Sequence, residues 1–596
     1  MARKRRHKRK TAVTLPEHLL RAGDVTDQYG LSEQALMAYL PHPEQYLPEG
    51  RRKAVTCWRR EDVVRLLKTD RRARAAADEL LARRRRREAA REYENQKKEV
   101  FRYLAGEYGL DNLLRKAAFL RRRFVLHVGP TNSGKTYDAI EALAAAESGA
   151  YLGPLRLLAL EMFDKLNARG CRCNLLTGEE HIEVDGAYHV ASTIELCDFR
   201  ARYAVAVIDE GQMLADPSRG AHWTRALLGV DAEEVHVCLA PEARNIIVWL
   251  LEQIGAPYEL REHKRLCPLT FEGKFNGYGD VQPGDALITF SRRNVLNISG
   301  ELEKRGIRAS VIYGALPPES RREEVRKFAS GQTNVVVATD AIGMGISLPI
   351  RRVIFCETQK YDGVSRRPLN KVEIRQIAGR AGRFGIYDRG EVLTVSDEES
   401  IRRGLIGPAR QVRALTTPFP AAALDSDYPL DMLLRAWQEL PPGAREQKAD
   451  LSEALVLLRV FDKDVPGADQ VPKSMVYDLI TCPVDTKVRE LVFYWCDCVR
   501  AVVRGRTVPQ PKFDTDTLEG CENQYRAYDI RCQLLRRVGI NESVTRQKRE
   551  LAEKINAFLA QDKQSLERRC PQCGAPLAFD WPWRTCDRCH YRRGRG

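Results

Sequence analysis

The sequence predicts an α/β protein with two tandem parallel-sheet domains and helical regions at both ends. Two long series of short apolar strands alternate with helical segments, which is typical of parallel sheets with crossover helices. One series begins at residue 124 and the other near residue 266, and the two have similar lengths. Segments rich in Arg, Ala, Glu and Leu precede the first series, and helical segments interrupted by Pro and Gly follow the second.

The first 123 residues carry most of the positive charge. They contain 32 Lys or Arg and 17 Asp or Glu, which gives +15 of the net charge of +16 of the 596-residue chain. This excess predicts a polyanionic partner, most simply nucleic acid, and a solvated basic segment is the ordinary alternative. Residues 1–15 are predicted to be a disordered basic arm that serves as a localisation signal or as a phosphate-binding tail.

Two further N-terminal regions are predicted from residue patterns. Residues 16–68 combine helical spacing, a Pro- and Gly-rich turn, basic residues and a second helix, and they resemble the winged-helix units of MerR-like DNA-binding proteins. A structural cap is an equal alternative for this unit. Residues 69–123 are predicted to be charged helices, in which the five Arg at 83–87 form either a solvated face or a phosphate-binding track.

Short apolar strands define the two parallel-sheet domains. In the first domain, residues 124–265, strands are predicted at 124–128, 150–152, 188–191, 205–208 and 235–238. In the second domain, residues 266–404, strands are predicted at 286–290, 309–312, 334–338, 352–355 and 391–394. Residues 405–565 are predicted to form a helical C-terminal domain.

The segment after the first predicted strand matches a phosphate-binding loop, G-x-x-x-x-G-K-[ST]. Glycines let the backbone wrap closely around an anion, and the loop amides and the helix N-terminus then point at the phosphates. Lys135 supplies a point charge for the phosphates, and Thr136 offers a hydroxyl to Mg²⁺. The residues expected to bind the nucleotide are Gly129, Pro130, Thr131, Asn132, Ser133, Gly134, Lys135 and Thr136.

An acidic pair follows the predicted strand 205–208. Asp209 and Glu210 come at the carboxyl end of a parallel strand, where α/β sheets bind their ligands. Asp209 is predicted to hold Mg²⁺ through water, and Glu210 is predicted to polarise an attacking water as a general base. A solvated acidic turn is the alternative, and the spacing from the phosphate loop disfavours it.

Gln376, Arg380 and Arg383 form the main motif of the second domain. Their spacing of four and three residues predicts that they lie on one face of a helix, which Gly379 and Ala381 keep slim enough for close approach. Two guanidinium groups aimed across a cleft at a γ-phosphate act as arginine fingers. We therefore expect these three residues to complete the nucleotide site.

The C-terminal residues 566–596 are predicted to form a zinc ribbon. Cys570, Cys573, Cys586 and Cys589 form two C-x-x-C pairs separated by twelve residues, a spacing typical of a tetrahedral Zn²⁺ site. Surrounding Arg and aromatic residues favour base stacking with phosphate contact, and a folding clip with a solvated rim is an equal alternative.

The order of the nucleotide motifs resembles that of superfamily-two helicases. Finer matches resemble the DExH-type ATP-dependent RNA helicase of the mitochondrial degradosome and its bacterial relatives. These matches lie at residues 129–136, 153–158, 176–180, 209–212, 216–217, 223–229, 313–318, 338–345 and 376–384. The resemblance covers about residues 120 to 400, and it implies two RecA-like domains, ATP and Mg²⁺ as cofactors, and RNA as a partner.

The resemblance implies roles for further residues. Asp340, Gly343 and Gly345 would couple the nucleotide to the nucleic acid, and the two glycines would also border the nucleotide. The residues implied to contact the nucleic-acid backbone are Pro154, Arg156, Thr177, Gly178 and Thr193 in the first domain and Ser291, Arg292 and Thr339 in the second.

These features predict an ATP-dependent RNA helicase or translocase, and the resemblance implies movement from 3′ to 5′. A nuclease or another RNA-processing protein is a further candidate partner. One alternative is a DNA translocase steered by the N-terminal unit. Another is a nucleotide-gated RNA-binding clamp that barely unwinds, because the chain departs from the family pattern at Gly211 and at residues 238–243.

Composition also predicts a location. No apolar run reaches membrane-spanning length, so no membrane partner is expected, and the N-terminus lacks the apolar core of a signal peptide. The sixteen Cys are scattered without a secreted disulfide pattern, which favours a reducing interior. We therefore expect a cytoplasmic protein.

Overall fold

The computed structural model describes residues 15–49, 53–178, 180–343, 348–363, 365–540 and 542–561, together with 570, 572, 573, 575, 586, 588 and 589. The chain divides into two compact units, Met1–Arg102 and Tyr103–Gly596. The predicted basic arm, apart from Leu15, and most of the predicted zinc ribbon lie outside the described residues. The domain boundaries given above therefore stay predictions.

The first unit contains a small antiparallel sheet and short helices. The sheet order is β1–β3–β2, and its core contains buried Val25, Leu36, Trp58 and Val63. The five Arg at 83–87 are exposed on a long helix, which fits both the solvated face and the phosphate-binding track. The elements are β1 (Leu19–Arg21), α1 (Ala22–Tyr29), α2 (Glu33–Tyr39), β2 (Glu44–Tyr46), β3 (Val55–Arg59), α3 (Arg60–Thr69) and α4 (Arg71–Tyr108), in which the unit boundary falls.

The first large sheet has eight strands in the order β11–β4–β10–β9–β5–β8–β6–β7. All neighbours are parallel except β6 and β7 at one edge. Central strands are covered on both faces, which explains their continuous apolar runs. The elements are α5 (Leu110–Ala117), β4 (Arg123–Val128), α6 (Lys135–Ala145), β5 (Gly149–Gly153), α7 (Arg156–Ala168), β6 (Cys173–Leu176), β7 (His181–Ile182), β8 (His189–Thr193), β9 (Arg202–Ile208), α8 (Gly220–Gly229), β10 (Asp231–Leu239), α9 (Arg244–Gln253) and β11 (Tyr258–Glu262).

The second large sheet has six parallel strands in the order β12–β19–β16–β13–β15–β14. A buried ion pair ties two central strands, because the guanidinium of Arg352 donates to both carboxylate oxygens of Asp285 at 2.7 and 2.6 Å. The elements are β12 (Leu269–Lys274), β13 (Asp285–Ile288), α10 (Arg292–Glu303), β14 (Ala309–Ile312), α11 (Pro318–Ala329), β15 (Val335–Ala338), β16 (Arg352–Phe355), β17 (Gln359–Tyr361), β18 (Arg366–Pro368), α12 (Lys371–Ala378), β19 (Gly390–Thr394) and α13 (Glu398–Leu405).

The predicted α/β class with two parallel sheets is confirmed. Every strand predicted in the two domains is present, with ends that differ by four residues at most, at the start of β10. The prediction missed β6, β7, β11 and β12 in the two large sheets and the separate two-stranded sheet of β17 and β18. The strands β7, β11 and β12 lie at a sheet edge and contain polar side chains. The strands β6, β17 and β18 are four residues long at most, so none of the six produces a long continuous apolar run.

The region after residue 405 is mostly helical. Its last two helices share a hydrophobic core with the second sheet, in which Tyr525 and Ile555 pack with Val311 and Tyr313. Among the described residues, no helix combines the length and the apolar character needed to cross a membrane. The elements are β20 (Leu415–Thr417), α14 (Leu430–Glu439), β21 (Glu446–Lys448), α15 (Ser452–Asp464), α16 (Lys473–Ile480), α17 (Arg489–Val503), α18 (Leu518–Arg537) and α19 (Thr545–Gln561).

Candidate functional site

The loop between β4 and α6 is tightly wound. Asn132 and Gly134 have φ of 63° and 80°, in the left-handed region that glycine adopts freely. A Cβ atom at Gly129 would lie 2.7 Å from Ser133 Oγ and 2.8 Å from His263 Cβ. No larger residue fits at Gly129 without moving the loop, so the close wrapping expected of a phosphate-binding loop is present in the backbone.

Lysine, hydroxyl and carboxylate meet at the carboxyl ends of β4 and β9. Lys135 Nζ donates to the carbonyl of Pro130 at 3.3 Å, and Thr136 Oγ1 donates to Asp209 Oδ1 at 3.5 Å. Lys135 and Asp209 are both buried. The structure therefore brings together the three side chains that the sequence assigns to phosphate and Mg²⁺.

Two further hydrogen bonds hold Asp209 in place. Tyr151 Oη on β5 donates to Asp209 Oδ2 at 2.9 Å, and Trp223 Nε1 on α8 donates to its carbonyl at 2.9 Å. Burial, with a smaller contribution from the charge of Glu210, raises the pKa of Asp209 to about 6, against the opposing effects of Lys135 and the Tyr151 hydrogen bond. Tyr151 belongs to no motif that the sequence analysis recognised.

Glu210 has a strained backbone, with φ of 52° and ψ of 46°, which is unusual for a residue with a side chain. Gln212 Nε2 donates to Glu210 Oε2, and Gln212 Oε1 accepts from the amide of Ala240 at 3.0 Å. A Cβ atom at Gly211 would lie 2.9 Å from Val237 Cγ1, so β10 leaves no room for a larger side chain there. The departure from the family pattern at Gly211 thus has a steric reason.

The expectation that Gln376, Arg380 and Arg383 share one helix face is wrong. Helix α12 ends at Ala378, and the amides of Arg380 and Ala381 donate to carbonyls only three residues back. The chain then turns at Gly382, with φ of 73°, and a Cβ atom there would lie 2.6 Å from the amide nitrogen of Gly390. Close packing against β19 ends the helix, and both arginines lie in the following turn.

The turn after α12 faces the phosphate loop across a narrow cleft. A Cβ atom at Gly379 would lie 2.9 Å from Thr131 Cβ, and Asn132 Nδ2 donates to the carbonyl of Gly382. Arg265, in the connector between β11 and β12, donates from Nη1 to the carbonyls of Thr131 and Gly379, each at 2.9 Å. Sequence analysis missed Arg265, because it belongs to no motif and its partners are backbone atoms.

Three side-chain donors in this cleft have no hydrogen-bond partner within the described part of the chain. They are Ser133 Oγ on the loop, Arg265 Nε in the connector and Arg380 Nε on the opposite side. Arg380 Nη2 donates to the carbonyl of Gly343. The side chain of Gln376 also packs against Gly343. Such unsatisfied buried donors fit an anionic ligand in the cleft. Arg383 is half-buried, and Gly345 lies outside the described residues.

Four of the residues implied in nucleic-acid contact lie against α18. Arg156 Nη1 donates to Tyr525 Oη at 3.1 Å, and Arg292 pairs with Glu522 at 2.8 Å. The other two contact the end of the helix: Arg536 donates to the carbonyl of Thr177 at 2.7 Å, and a Cβ atom at Gly178 would lie 3.3 Å from Gln533 Nε2. The two sheets and α18 therefore enclose these four residues.

The other four such residues have local structural contacts. Pro154 is buried, and its carbonyl accepts from Arg219. Ser291 Oγ caps α10 by accepting from the amide of Asn294 at 3.1 Å, and Thr339 Oγ1 accepts from the amide of Ala341 at 3.3 Å. Thr193 is half-buried at the end of β8. All four lie at or just beyond the carboxyl end of a strand of their sheet.

Glu522 is a buried carboxylate that the sequence analysis did not single out. It is 3% exposed, pairs with Arg292 and accepts from Tyr313 Oη at 2.7 Å. Burial raises the pKa of Glu522, and the charge of Arg292 opposes this rise. No local pattern on an amphipathic helix marks which acidic residue becomes buried.

The four C-terminal cysteines converge as the spacing predicts. Their sulfur atoms all lie within 4.8 Å of one another, and Cys573 and Cys586 are 3.4 Å apart. Four thiolates at Zn–S distances of about 2.3 Å surround a tetrahedral ion at similar separations. The donor set therefore fits Zn²⁺.

A row of three histidines crosses the first sheet beside the phosphate loop. His127 Nε2 lies 2.9 Å from His236 Nδ1, and His127 Nδ1 lies 3.1 Å from His263 Nε2. Burial lowers the pKa of all three imidazoles, that of His127 to about 3, so the row is uncharged at neutral pH. The residues are far apart in the chain and match no known spacing, so no sequence pattern marks the row.

Two protein-family models match the chain. Residues 111–263 match the DEXQ-box helicase domain of Suv3, and residues 275–385 match the helicase conserved C-terminal domain. The resemblance to superfamily-two RNA helicases of this type is confirmed, and with it the two RecA-like helicase domains.

Relatives with assigned names are mitochondrial ATP-dependent RNA helicases. SUV3L of Oryza sativa subsp. japonica is 43% identical over 324 residues, which cover 51% of this chain and 44% of that protein. Human SUPV3L1 is 43% identical over 296 residues, which cover 48% of this chain and 38% of that protein. DExH18 of Arabidopsis thaliana is 45% identical over 289 residues, which cover 48% of this chain and 37% of that protein. The chain thus matches less than half the length of each of these relatives.

The expectation of a cytoplasmic protein is wrong. The relatives from rice, human, Arabidopsis and Candida albicans all carry mitochondrial names. Cysteines scattered without a secreted disulfide pattern occur in proteins of several compartments. Composition therefore did not identify the compartment.

The hydrogen bond from Tyr151 yields a test of the role predicted for Asp209. If this carboxylate holds Mg²⁺, kcat/KM for ATP hydrolysis falls as Asp209 is protonated below pH about 6. Tyr151→Phe removes a donor that lowers the pKa of Asp209, so we expect the acid limb of the kcat/KM profile to move to higher pH. Tyr203→Phe removes a hydroxyl elsewhere on the first sheet and serves as control. An unchanged acid limb in Tyr151→Phe would argue against this role.

Proposed function

We propose that this chain, whose two matched domains are those of a Suv3-type helicase core, is an ATP-dependent RNA helicase that moves along single-stranded RNA. The names of its relatives support this activity. The main supporting observation is the cleft, in which the loop bearing Lys135 faces the turn bearing Arg380 and Arg383, with unsatisfied donors on both sides. Movement from 3′ to 5′ and a nuclease partner are parts of the proposal that rest on the family resemblance alone.

The nucleotide roles follow from the contacts. Lys135 lies in the loop and is free to exchange the Pro130 carbonyl for a phosphate oxygen. Thr136 and Asp209, already in contact, would hold Mg²⁺, which neutralises phosphate charge and orients the reacting groups. Glu210, oriented by Gln212, would accept a proton from the attacking water. Arg380 would exchange the Gly343 carbonyl for the phosphate.

The nucleic-acid path would run between the two sheets and α18. Arg156 and Arg292 supply positive charge from the first and second sheet, and phosphate contacts of this kind carry no sequence information, as a motor requires. Both guanidiniums now pair with carboxylates: Arg156 pairs with Glu180 and Glu319, and Arg292 pairs with Glu522. RNA phosphates would have to replace these carboxylates.

The cysteine cluster would hold Zn²⁺ as a folding clip for the C-terminal segment. Four thiolates satisfy a tetrahedral ion completely, so no position remains open for catalysis. A segment this short has little core of its own, and metal binding would supply its folding energy.

The central test is the dependence of ATP hydrolysis on nucleic acid. We expect single-stranded RNA to stimulate the ATPase of the full chain, Lys135→Ala to reduce turnover at least ~100-fold and Arg383→Ala to reduce it ~1,000-fold. Lys304→Ala and Arg403→Ala, which alter exposed residues paired with Glu301 and Glu399, are matched controls. A rate of ATP hydrolysis that does not change when RNA is added would contradict the proposal. Stronger stimulation of ATP hydrolysis by matched single-stranded DNA would favour the DNA translocase.

A second test addresses the carboxylate of Glu522. Glu522→Gln keeps the side-chain shape and frees Arg292 for phosphate, so we expect single-stranded RNA to bind about fivefold more tightly, with a salt dependence steeper by about one phosphate contact. Fluorescence anisotropy at two salt concentrations measures both effects. Glu519→Gln, on the exposed first turn of the same helix, is the control. Equal or weaker binding by Glu522→Gln would show that Glu522 does not compete with RNA.

A further inference from the structure

The histidine row beside the phosphate loop has a fixed direction of hydrogen bonding. Glu234 Oε1 lies 2.7 Å from His236 Nε2 and, as a carboxylate, must accept a proton from it. His236 Nδ1 then carries a lone pair and accepts from His127 Nε2 at 2.9 Å. His127 can therefore carry no proton on Nδ1 while it is neutral, and this lone pair faces His263.

The lone pair of His127 Nδ1 faces a second imidazole nitrogen and lies near a carboxylate. His263 Nε2 is 3.1 Å away, and one ligand atom from each of His127, His263 and Asp138 lies within 4.8 Å of the others. Two nitrogens bound at about 2.0–2.1 Å to one tetrahedral metal stand roughly 3.3 Å apart. The separation of the two nitrogens therefore needs to change by only a few tenths of an ångström, and the two rings, which now point at each other, need to tilt toward the shared ion.

The surroundings of these three residues are those of a metal site. The chain from His127 through His236 to Glu234 is a hydrogen-bonded outer shell of the kind that orients metal-binding imidazoles. His127 is fully buried, His263 is 12% exposed and Asp138 is 51% exposed, so one side is closed and the other is open to water. Lys135 and Arg261 are the nearby cations, and Asp138 and Glu234 supply balancing negative charge.

We propose that His127, His263 and Asp138 bind a divalent transition-metal ion, with His127 Nδ1, His263 Nε2 and the Asp138 carboxylate as ligands and water in the remaining position. Two imidazoles and one carboxylate suit Zn²⁺, Co²⁺ or Ni²⁺ better than Mg²⁺. On metal binding, the proton of His263 moves from Nε2 to Nδ1, where Asp138 Oδ2 lies 3.9 Å away, so the ring stays neutral.

The position of this site gives it a mechanical role. His127 precedes the phosphate loop, Asp138 lies on the helix that follows it, and His263 begins the connector to the second sheet. A metal ion bound by all three ties the loop and its helix to the connector, two residues before Arg265. The site is independent of the C-terminal cysteine cluster, which has sulfur ligands alone.

Titration of the full chain with Co²⁺, with visible and near-ultraviolet absorption, tests the proposal. Thiolate ligands give an intense charge-transfer band, whereas the histidine and carboxylate ligands give only weak visible bands. We expect the chain to bind one equivalent of Co²⁺ that produces the thiolate band and a further equivalent of Co²⁺ that does not. The further equivalent should bind more weakly in His263→Gln and Asp138→Asn by more than the ~10-fold cost of losing an outer-shell partner.

His181→Gln is the matched control, because His181 is an exposed histidine, 49% exposed, that also contacts a carboxylate, Glu183. It should leave both equivalents unchanged. Asp138 is half-exposed, so Asp138→Asn is expected to fold even if a histidine variant does not, and melting without metal checks folding in each case. Uptake that stops at the equivalent with the thiolate band would overturn the proposal. The proposal would also be overturned if the further equivalent of Co²⁺ bound to His263→Gln and to Asp138→Asn with the same affinity as to the unaltered chain.

Discussion

One guanidinium holds the cleft of this molecule together. Arg265 donates to carbonyls on the phosphate loop and on the turn after α12, so it joins the two sheets through backbone atoms that sequence changes cannot remove. It lies in the connector between the sheets, and the segment that links them in the chain therefore also bridges them in space. Together with the hydrogen bond from Asn132 to the carbonyl of Gly382, this bridge fixes the turn that bears the arginines against the phosphate loop.

The opposite side of the core is organised by charge. Arg156, the first residue of α7 beside the first sheet, contacts Glu319 on α11 and Tyr525 on α18. Both α11 and α18 pack with the second sheet. Arg292 contacts Glu522, also on α18. Because a phosphate and a carboxylate compete for the same guanidinium, binding of RNA at Arg156 would replace contacts between the two sheets. In the proposed mechanism, this exchange would link RNA binding to the nucleotide cleft.

The sequence was informative wherever a function depends on neighbouring residues. The phosphate loop, the acidic pair and the cysteine pairs are short motifs whose geometry follows from strand, loop and helix order, and the central strands of both sheets are apolar runs. Sequence patterns were not informative where contacts are distant. Nothing local reveals that α12 ends at Ala378, that Glu522 becomes buried or that Arg265 binds carbonyls. Nothing local reveals either that histidines on β4, on β10 and just after β11 form a row.

The proposed mechanism requires the two sheets to share one nucleotide. A crystal structure of the full chain with Mg²⁺ and a non-hydrolysable ATP analogue would show whether they do. We expect the triphosphate to contact Lys135 on one side and Arg380 and Arg383 on the other, with Arg265 still bridging the cleft. A triphosphate bound only to the first sheet, with Arg380 still on the Gly343 carbonyl, would contradict it.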